Sequence, residues 1–285
     1  MNRLSIEKRA QILHSLCEGG SIGGTARTTG ASKVTILKLL AEVGTVVLAY
    51  QQRVLVNLSC VRVQADEIWS FVGAREKNVP VDEKGRGRGD CWTWTAVCAD
   101  TKLIPCWHVG TRDAEAARLF MEDLASRLAN RVQLTTDGLQ AYLTAVENAF
   151  GWHGVDYAML IKLYGVAGDT KSQGKYGPTP LKGIEKKPVM GEPDSAHIST
   201  SYVESQNTRM RTNMRRMTRV SNAHSKKVEN HVHATSLWFM YYNFCRPHMT
   251  LTQKAGGIKT TPAMAAGKSD HVWKLEEVVA LLGED

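Results

Sequence analysis

The chain has 285 residues, 43% of them hydrophobic and 22% charged, which suits one large domain or two ordinary ones and excludes a disordered, solvating polymer. Its formal net charge of +8 and isoelectric point near 9.2 favour a polyanionic partner, with nucleic acid ahead of a membrane surface. No uninterrupted apolar run approaches the roughly 20 residues that cross a bilayer, the opening MNRLSIEKRAQILHSL lacks a secretory core, and the cysteines at 17, 60, 91, 98, 106 and 245 form no C-x-x-C pair, so the expectation is a reduced, cytosolic protein without structural zinc.

The first 44 residues read as helices. Ile6, Ala10, Leu13 and Cys17 recur at three- and four-residue steps, and Glu18-Gly19-Gly20 closes that helix. SIGGTARTTG followed by ASKVTILKLLAEVG predicts a short helix, a turn at Gly30 and a longer helix capped by Ser32. This is the length pattern of a helix-turn-helix, whose second helix enters the major groove. Lys33, Thr35, Lys38 and Ser32 would then face DNA, while Val34, Ile36, Leu37 and Leu40 divide between core and helix packing; a plain three-helix bundle is the alternative. Residues 45–59, TVVLAYQQRVLVNLS, place Val47, Tyr50, Val54 and Leu58 at helical spacing and read as a helical connector packed on a neighbour.

From Cys60 the pattern changes to strands. VRVQADEIWSFVG, CWTWTAVCAD and LIPCWHVG predict a three-stranded meander over residues 61–110, with Pro105 marking the third run as an edge because it cannot donate to a ladder. RDAEAARLFMEDLASRLAN is an amphipathic helix through Ala116, Leu119, Phe120, Leu124 and Leu128. RVQLTTDG is a short strand ending at Asp137, LQAYLTAVENAFG a helix, and VDYAMLIKLYG an alternating strand. The order βββαβαβ predicts an α/β domain over residues 60–250, a mixed sheet with flanking helices. At about 165–200 a Gly/Pro/Lys-rich insertion interrupts it; its lysines at 171, 175, 182, 186 and 187 suit a flap facing nucleic acid. A helix from about Ser201, a closing helix through SKKVENHVHATSLWFMYYNF and a C-terminal tail, residues 251–285, complete the chain.

The charge is uneven. Residues 157–227 hold thirteen Lys/Arg against five Asp/Glu, a surplus equal to that of the whole chain. Arg209, Arg211, Arg215, Arg216 and Arg219 lie among Asn and Thr, a composition that matches phosphate oxygens. A solubilising face has the same composition.

Three acids fall where this topology gathers side chains. Asp66 lies mid-strand, Asp137 ends the strand after the first long helix, and Glu204 sits in the first turn of the helix near Ser201. Adjacent parallel strands expose their carboxyl ends on one edge, and a helix across that edge adds Glu204. Such a cluster needs cations, and oxygen ligands suit Mg²⁺ or Mn²⁺, a pair of which serves phosphodiester chemistry. Singly, each acid has an ordinary reading as a solvent-facing residue, a turn residue or a helix cap. Glu192 and Asp194 rival Glu204 but fall in loop sequence. Two helical turns put Arg211 on the same face as Glu204, with Asn207 and Thr208 between them. Other candidates are weaker: His231 and His233 point to different helix faces, Cys106 and His108 lack a third member, and Trp69, Trp92, Trp94 and Trp107 read as core.

The segments ADEIWSFVG, TTDGLQAY, YVESQNTRMR and YYNFCRPHMTL with TPAMAAG resemble the catalytic segments of bacterial insertion-sequence transposases of the DDE type, closest to the family of insertion sequence one. The resemblance spans roughly residues 60–267. It implies an RNase H-like fold, preceded here by the all-α helix-turn-helix, and Asp66, Asp137 and Glu204 as a triad holding two Mg²⁺ (or Mn²⁺) ions. It also implies that Arg211, seven positions after Glu204, contacts DNA near the reacting end. The interval from Asp137 to Glu204 is longer than in compact relatives, and the 165–200 insertion accounts for the excess.

The resulting expectation is a bacterial, nucleoid-associated DNA transposase. It would bind terminal inverted repeats and cut and join strands as a dimer or larger assembly on double-stranded DNA. Arg209, Arg211, Arg215, Arg216, Asn207, Lys33, Thr35 and Lys38 would contact the DNA. A domesticated, inactive DNA-binding regulator and an RNase H-like nuclease or resolvase are the rivals.

Overall fold

The computed structural model describes residues 4–165, 181–219 and 221–283. Lys171 and Lys175 of the expected flap lie outside them. Three helices open the chain: α1 (Ile6–Cys17), α2 (Ile22–Thr29) and α3 (Lys33–Val54). A serine sets each start, Ser5, Ser21 and Ser32 accepting from the backbone N–H of Lys8, Gly24 and Thr35. Gly30, at φ 72°, ends α2 in the left-handed region that favours glycine.

The boundary expected at residue 44 falls inside α3. Gly44 is a contact, not a stop. A Cβ there would lie 2.5 Å from the His233 Cβ, and the Gly44 carbonyl accepts the Ser236 hydroxyl at 3.0 Å. The expected connector is therefore the second half of the same helix. By length and composition α3 is apolar enough to cross a membrane, which a search for uninterrupted apolar runs missed because Lys38 and Glu42 punctuate it. Here Ile36, Leu39, Leu40, Val43 and Val47 are buried, packed chiefly against α7 (Val228–Met240). Val34, expected in the packing, is 62% exposed, and Leu39 is buried in its stead.

The sheet has six strands: β1 (Arg62–Val72), β2 (Gly89–Cys98), β3 (Trp107–Gly110), β4 (Val132–Thr136), β5 (Val155–Tyr164) and β6 (Leu181–Met190). Their order is β3-β2-β1-β4-β5-β6. β1 pairs antiparallel with β2 and parallel with β4; β4–β5 is parallel, and β2–β3 and β5–β6 are antiparallel. The molecule is thus an α/β protein with a mixed, open sheet. α4 (Ala114–Arg127) and α5 (Ala141–Gly154, broken at Gly151) accompany the sheet, as does α6 (Ser201–Asn213). Strand alternation divides β1: Glu67 meets Tyr142 of α5, whereas Gln64 accepts the N–H groups of Tyr202 and Val203 at the start of α6.

Two expected elements differ. Of LIPCWHVG only Trp107–Gly110 is strand; Ile104 is clamped instead by the Asn243 side chain, which both accepts from its N–H and donates to its carbonyl at 3.0 Å. Within the expected insertion, β6 adds an edge strand carrying Lys182, Lys186 and Lys187. Exposed over most of its length and holding Pro188, it has no hydrophobic alternation to betray it.

The expected tail is not a tail. After the π-helical turn Tyr241–Cys245 come α8 (Met249–Lys254), α9 (Pro262–Ala265) and α10 (Leu275–Ala280). α10 packs on α1, and Trp273 lies 5.2 Å from Tyr50 and 5.5 Å from Phe244, ring to ring. One contiguous core runs from Ile12 and Leu13 through Trp94, Phe120 and Tyr142 to Phe239 and Val279.

Candidate acidic site

The site begins where a sheet comes apart. β1 and β4 pair through Arg62–Gln133, Val63–Leu134 and Gln64–Thr135, and no further. Extending that register by two places sets Asp137 beside Asp66 in the opening beyond the last pair. There one carboxylate oxygen each from Asp66, Glu67 and Asp137 lies within 4.8 Å of the others.

Each acid is held differently. Asp66 Oδ1 accepts the N–H of Glu67, and Oδ2 accepts the Asn207 amide from α6, both at 2.9 Å. Glu67 is buried; it accepts Arg112 Nε at 2.6 Å and the Tyr142 hydroxyl at 3.1 Å. Arg112 stacks over Trp92, 4.8 Å from the ring centre, and its Nη2, which also pairs with Glu67 at 2.6 Å, stands 3.9 Å from Asp137 Oδ2. Asp137 Oδ1 accepts the N–H of Leu139 at 2.9 Å, fixing the turn after β4. Burial, then the charges of Glu67, Asp137 and Glu204, push the Asp66 carboxyl up to about 7. Glu67 is likewise raised by burial and by Asp137, against the opposing pull of Arg112 and Tyr142.

Glu204 stands apart from the three-oxygen cluster. It lines the same cleft, of about 550 Å³, with Asp66, Asp137, Arg112, Thr200 and Lys162. Its carboxylate pairs with Lys162 of β5 at 2.6 Å and accepts the Thr200 hydroxyl. The close three-acid geometry expected of Asp66, Asp137 and Glu204 is met by Asp66, Glu67 and Asp137. Glu192 and Asp194 do not line the cleft; the first donates its N–H to Asp156 and the second exchanges hydrogen bonds with Gln133.

The donor set fits a hard divalent cation. All three converging carboxylates offer oxygen, burial and their mutual repulsion raise Asp66, and Asn207 Oδ1, on the amide that holds Asp66, is buried with no partner among the described residues.

The basic residues expected on DNA do not line this cleft. Arg211 turns inward and donates to the carbonyls of Trp69 at 3.1 Å and Met217 at 3.0 Å; burial and Arg219 push it down to about 10. It is a backbone clip that ties α6 to β1 and to the turn after α6. Arg209 lies near Tyr242, whose hydroxyl donates to the Lys102 carbonyl at 3.1 Å. Arg215 is exposed, and Arg216 donates to the Ser225 hydroxyl at 2.9 Å. Lys33 and Lys38 are exposed on α3, and the Thr35 hydroxyl lies 2.8 Å from that of Ser32. His231 is buried between Ser225 and Ser70, and His233 abuts Gly44.

Sequence reasoning missed Glu67, Arg112 and Lys162. The Asp-Glu dipeptide within an apolar strand is a signal for the first. The two cations carry none, because their partners lie on other elements. No protein-family model matches the chain, and no curated protein matches it.

Proposed function

We propose that the protein is a metal-dependent polynucleotidyl transferase, a DDE-type DNA transposase that binds element ends through its N-terminal helices and cuts and joins strands at the acidic cleft. The observation that carries this reading is the convergence of Asp66 and Asp137 where β1–β4 pairing stops, with Glu204 on the wall of the same cleft. The mixed six-stranded sheet is compatible with an RNase H-like fold. Supporting the helix-turn-helix reading are the short α2, the glycine turn and the exposed Lys33 and Lys38 at the start of α3.

Asp66, Asp137 and Glu204, with Glu67 adjacent, would hold Mg²⁺ or Mn²⁺, which supplies charge stabilisation for the attacking and leaving oxygens of an in-line phosphodiester displacement. The chain's own residues prepare that site. Asn207 fixes the Asp66 carboxylate, and Tyr142 with Arg112 fixes Glu67. Arg112 and Lys162 set two positive charges in the cleft, where a phosphate can exchange for the carboxylates they now pair with. Joining two ends calls for at least two copies on double-stranded DNA.

The test is incubation with a supercoiled plasmid bearing the element ends in Mg²⁺, comparing wild type with Asp66→Ala. Nicked and joined products that vanish in the variant support the reading. Tight DNA binding with no Mg²⁺-dependent cleavage sinks it.

A further inference from the structure

The arginines that the acidic cleft does not use meet somewhere else. A second cleft, of about 660 Å³, opens between the starts of α2 and α3 and the chain that follows α6. It gathers Lys33 from α3, Arg215 and Arg216 from beyond α6, and Lys226 from just before α7, with the amides of Asn222 and Asn230. Among the described residues no Asp or Glu lines it.

Arg216 is the residue that needs explaining. It is mostly buried, its one described hydrogen bond goes to the Ser225 hydroxyl at 2.9 Å, and among the described residues no carboxylate pairs with it. Burial alone pushes it down to about 10. Burial, then the Arg216 charge, drives the neighbouring His231 down to about 4, so that imidazole stays neutral beside it. Partly withdrawing a guanidinium from water without a counter-ion carries a cost, and the donors that Ser225 does not engage stay open to the cleft rather than sealed in the core. An anion docking in the cleft supplies both the charge and the acceptors.

The arrangement fits a long anion better than a small one. Lys33, Arg215 and Lys226 are exposed and come from separate elements along an open cleft. Ser225 bridges to Val72 at the end of β1, six residues along the strand from Asp66, so this wall stands about 20 Å from the acidic cleft at the usual rise per residue. A duplex covers that distance in about six base pairs.

We infer that this cleft is a clamp for the phosphate backbone of double-stranded DNA, with Arg216, Lys33, Arg215 and Lys226 on consecutive phosphodiesters flanking the site of reaction. The inference rests on the reading of the protein as a DNA-processing enzyme, but its test is independent of catalysis.

The experiment is fluorescence anisotropy of a labelled random-sequence duplex titrated with full-length protein over a series of KCl concentrations. The triple variant Lys33→Gln/Arg215→Gln/Lys226→Gln, whose residues are exposed, is expected to bind more weakly and to lose about 1 from the salt slope per residue changed. Arg216→Gln should add to the loss, and Lys259→Gln, outside the cleft, should change nothing. An unchanged affinity and slope in the triple variant, with unchanged thermal melting, overturns the clamp. So does calorimetric binding of inorganic phosphate or a mononucleotide that the triple variant loses while its duplex slope stays intact. A reduced slope in a protein that never nicks plasmid in Mg²⁺ upholds the clamp and sinks the transposase reading; nicking with an unchanged slope does the reverse.

Discussion

Asp66 sits in a strand among apolar neighbours, and its surroundings penalise the ionised form through burial first and three further carboxylates second. The sign of the pH dependence follows. Because the folded-state pKa lies above the ordinary value of 3.8, the protonated group contributes stability that is fully present below that value and lost as pH rises through about 7. Asp66→Asn, which stays neutral, should therefore be more stable than wild type at pH 8 without divalent ions, the gap closing towards pH 4. Urea unfolding with chelator across that range checks it, and parallel curves would refute it. Lys162→Gln tests the other side of the cleft. The Lys162–Glu204 pair is partly exposed, so its loss should alter stability by less than about 1 kcal/mol. Freed of its cation, Glu204 should let Mg²⁺ raise the melting temperature at lower concentration than in wild type. Asp66 and Asp137 were legible because strand centres and strand ends leave local patterns. Glu67 was marked only by its place in an Asp-Glu dipeptide, and Arg112 and Lys162 not at all, because which face a carboxylate reaches and which cation answers it depend on strand register and on residues far along the chain.

Helix α3 shows how one residue type misleads at the scale of an element. Glycine after Glu42-Val43 reads locally as a helix terminator, yet the helix passes through it and uses the missing Cβ to bring α7 into contact. Gly44→Ala raises helix propensity but drives a methyl group into His233, so it should destabilise the protein by about 1–3 kcal/mol, measurable by thermal or urea unfolding. A gain in stability would show that α7 yields freely. The start of α3 was readable from sequence, and its energetics are ordinary: Ser32→Ala removes the acceptor for the Thr35 N–H and should cost about 1 kcal/mol. α6 carries the opposite lesson. Helical spacing correctly aligned Glu204 and Arg211 on one face, but a face is wider than a site, and the two side chains settle on different partners.

Across the described residues, the N-terminal helices, the sheet and the C-terminal helices share one core, and the first and last helices meet where α10 lies on α1. Removal of residues 272–285 should therefore act as a core deletion, stripping Trp273, Val278 and Val279 from their contacts and lowering the melting temperature with faster proteolysis throughout. Unchanged melting would mean that this segment contributes nothing to the core. The sequence by itself determined the α/β class, the order of the early strands and helices, the caps of α2 and α3, and the candidacy of Asp66 and Asp137, because each is written in periodicity or in residue chemistry within a few positions. Only the tertiary structure decided that Glu67 joins the acids, that Lys162 and Arg112 answer them, and that Lys33 meets Arg216 across a basic cleft. Most of those neighbours lie tens to nearly two hundred positions apart, and they are set by packing, with charge compensation where Arg112 and Lys162 meet the acids.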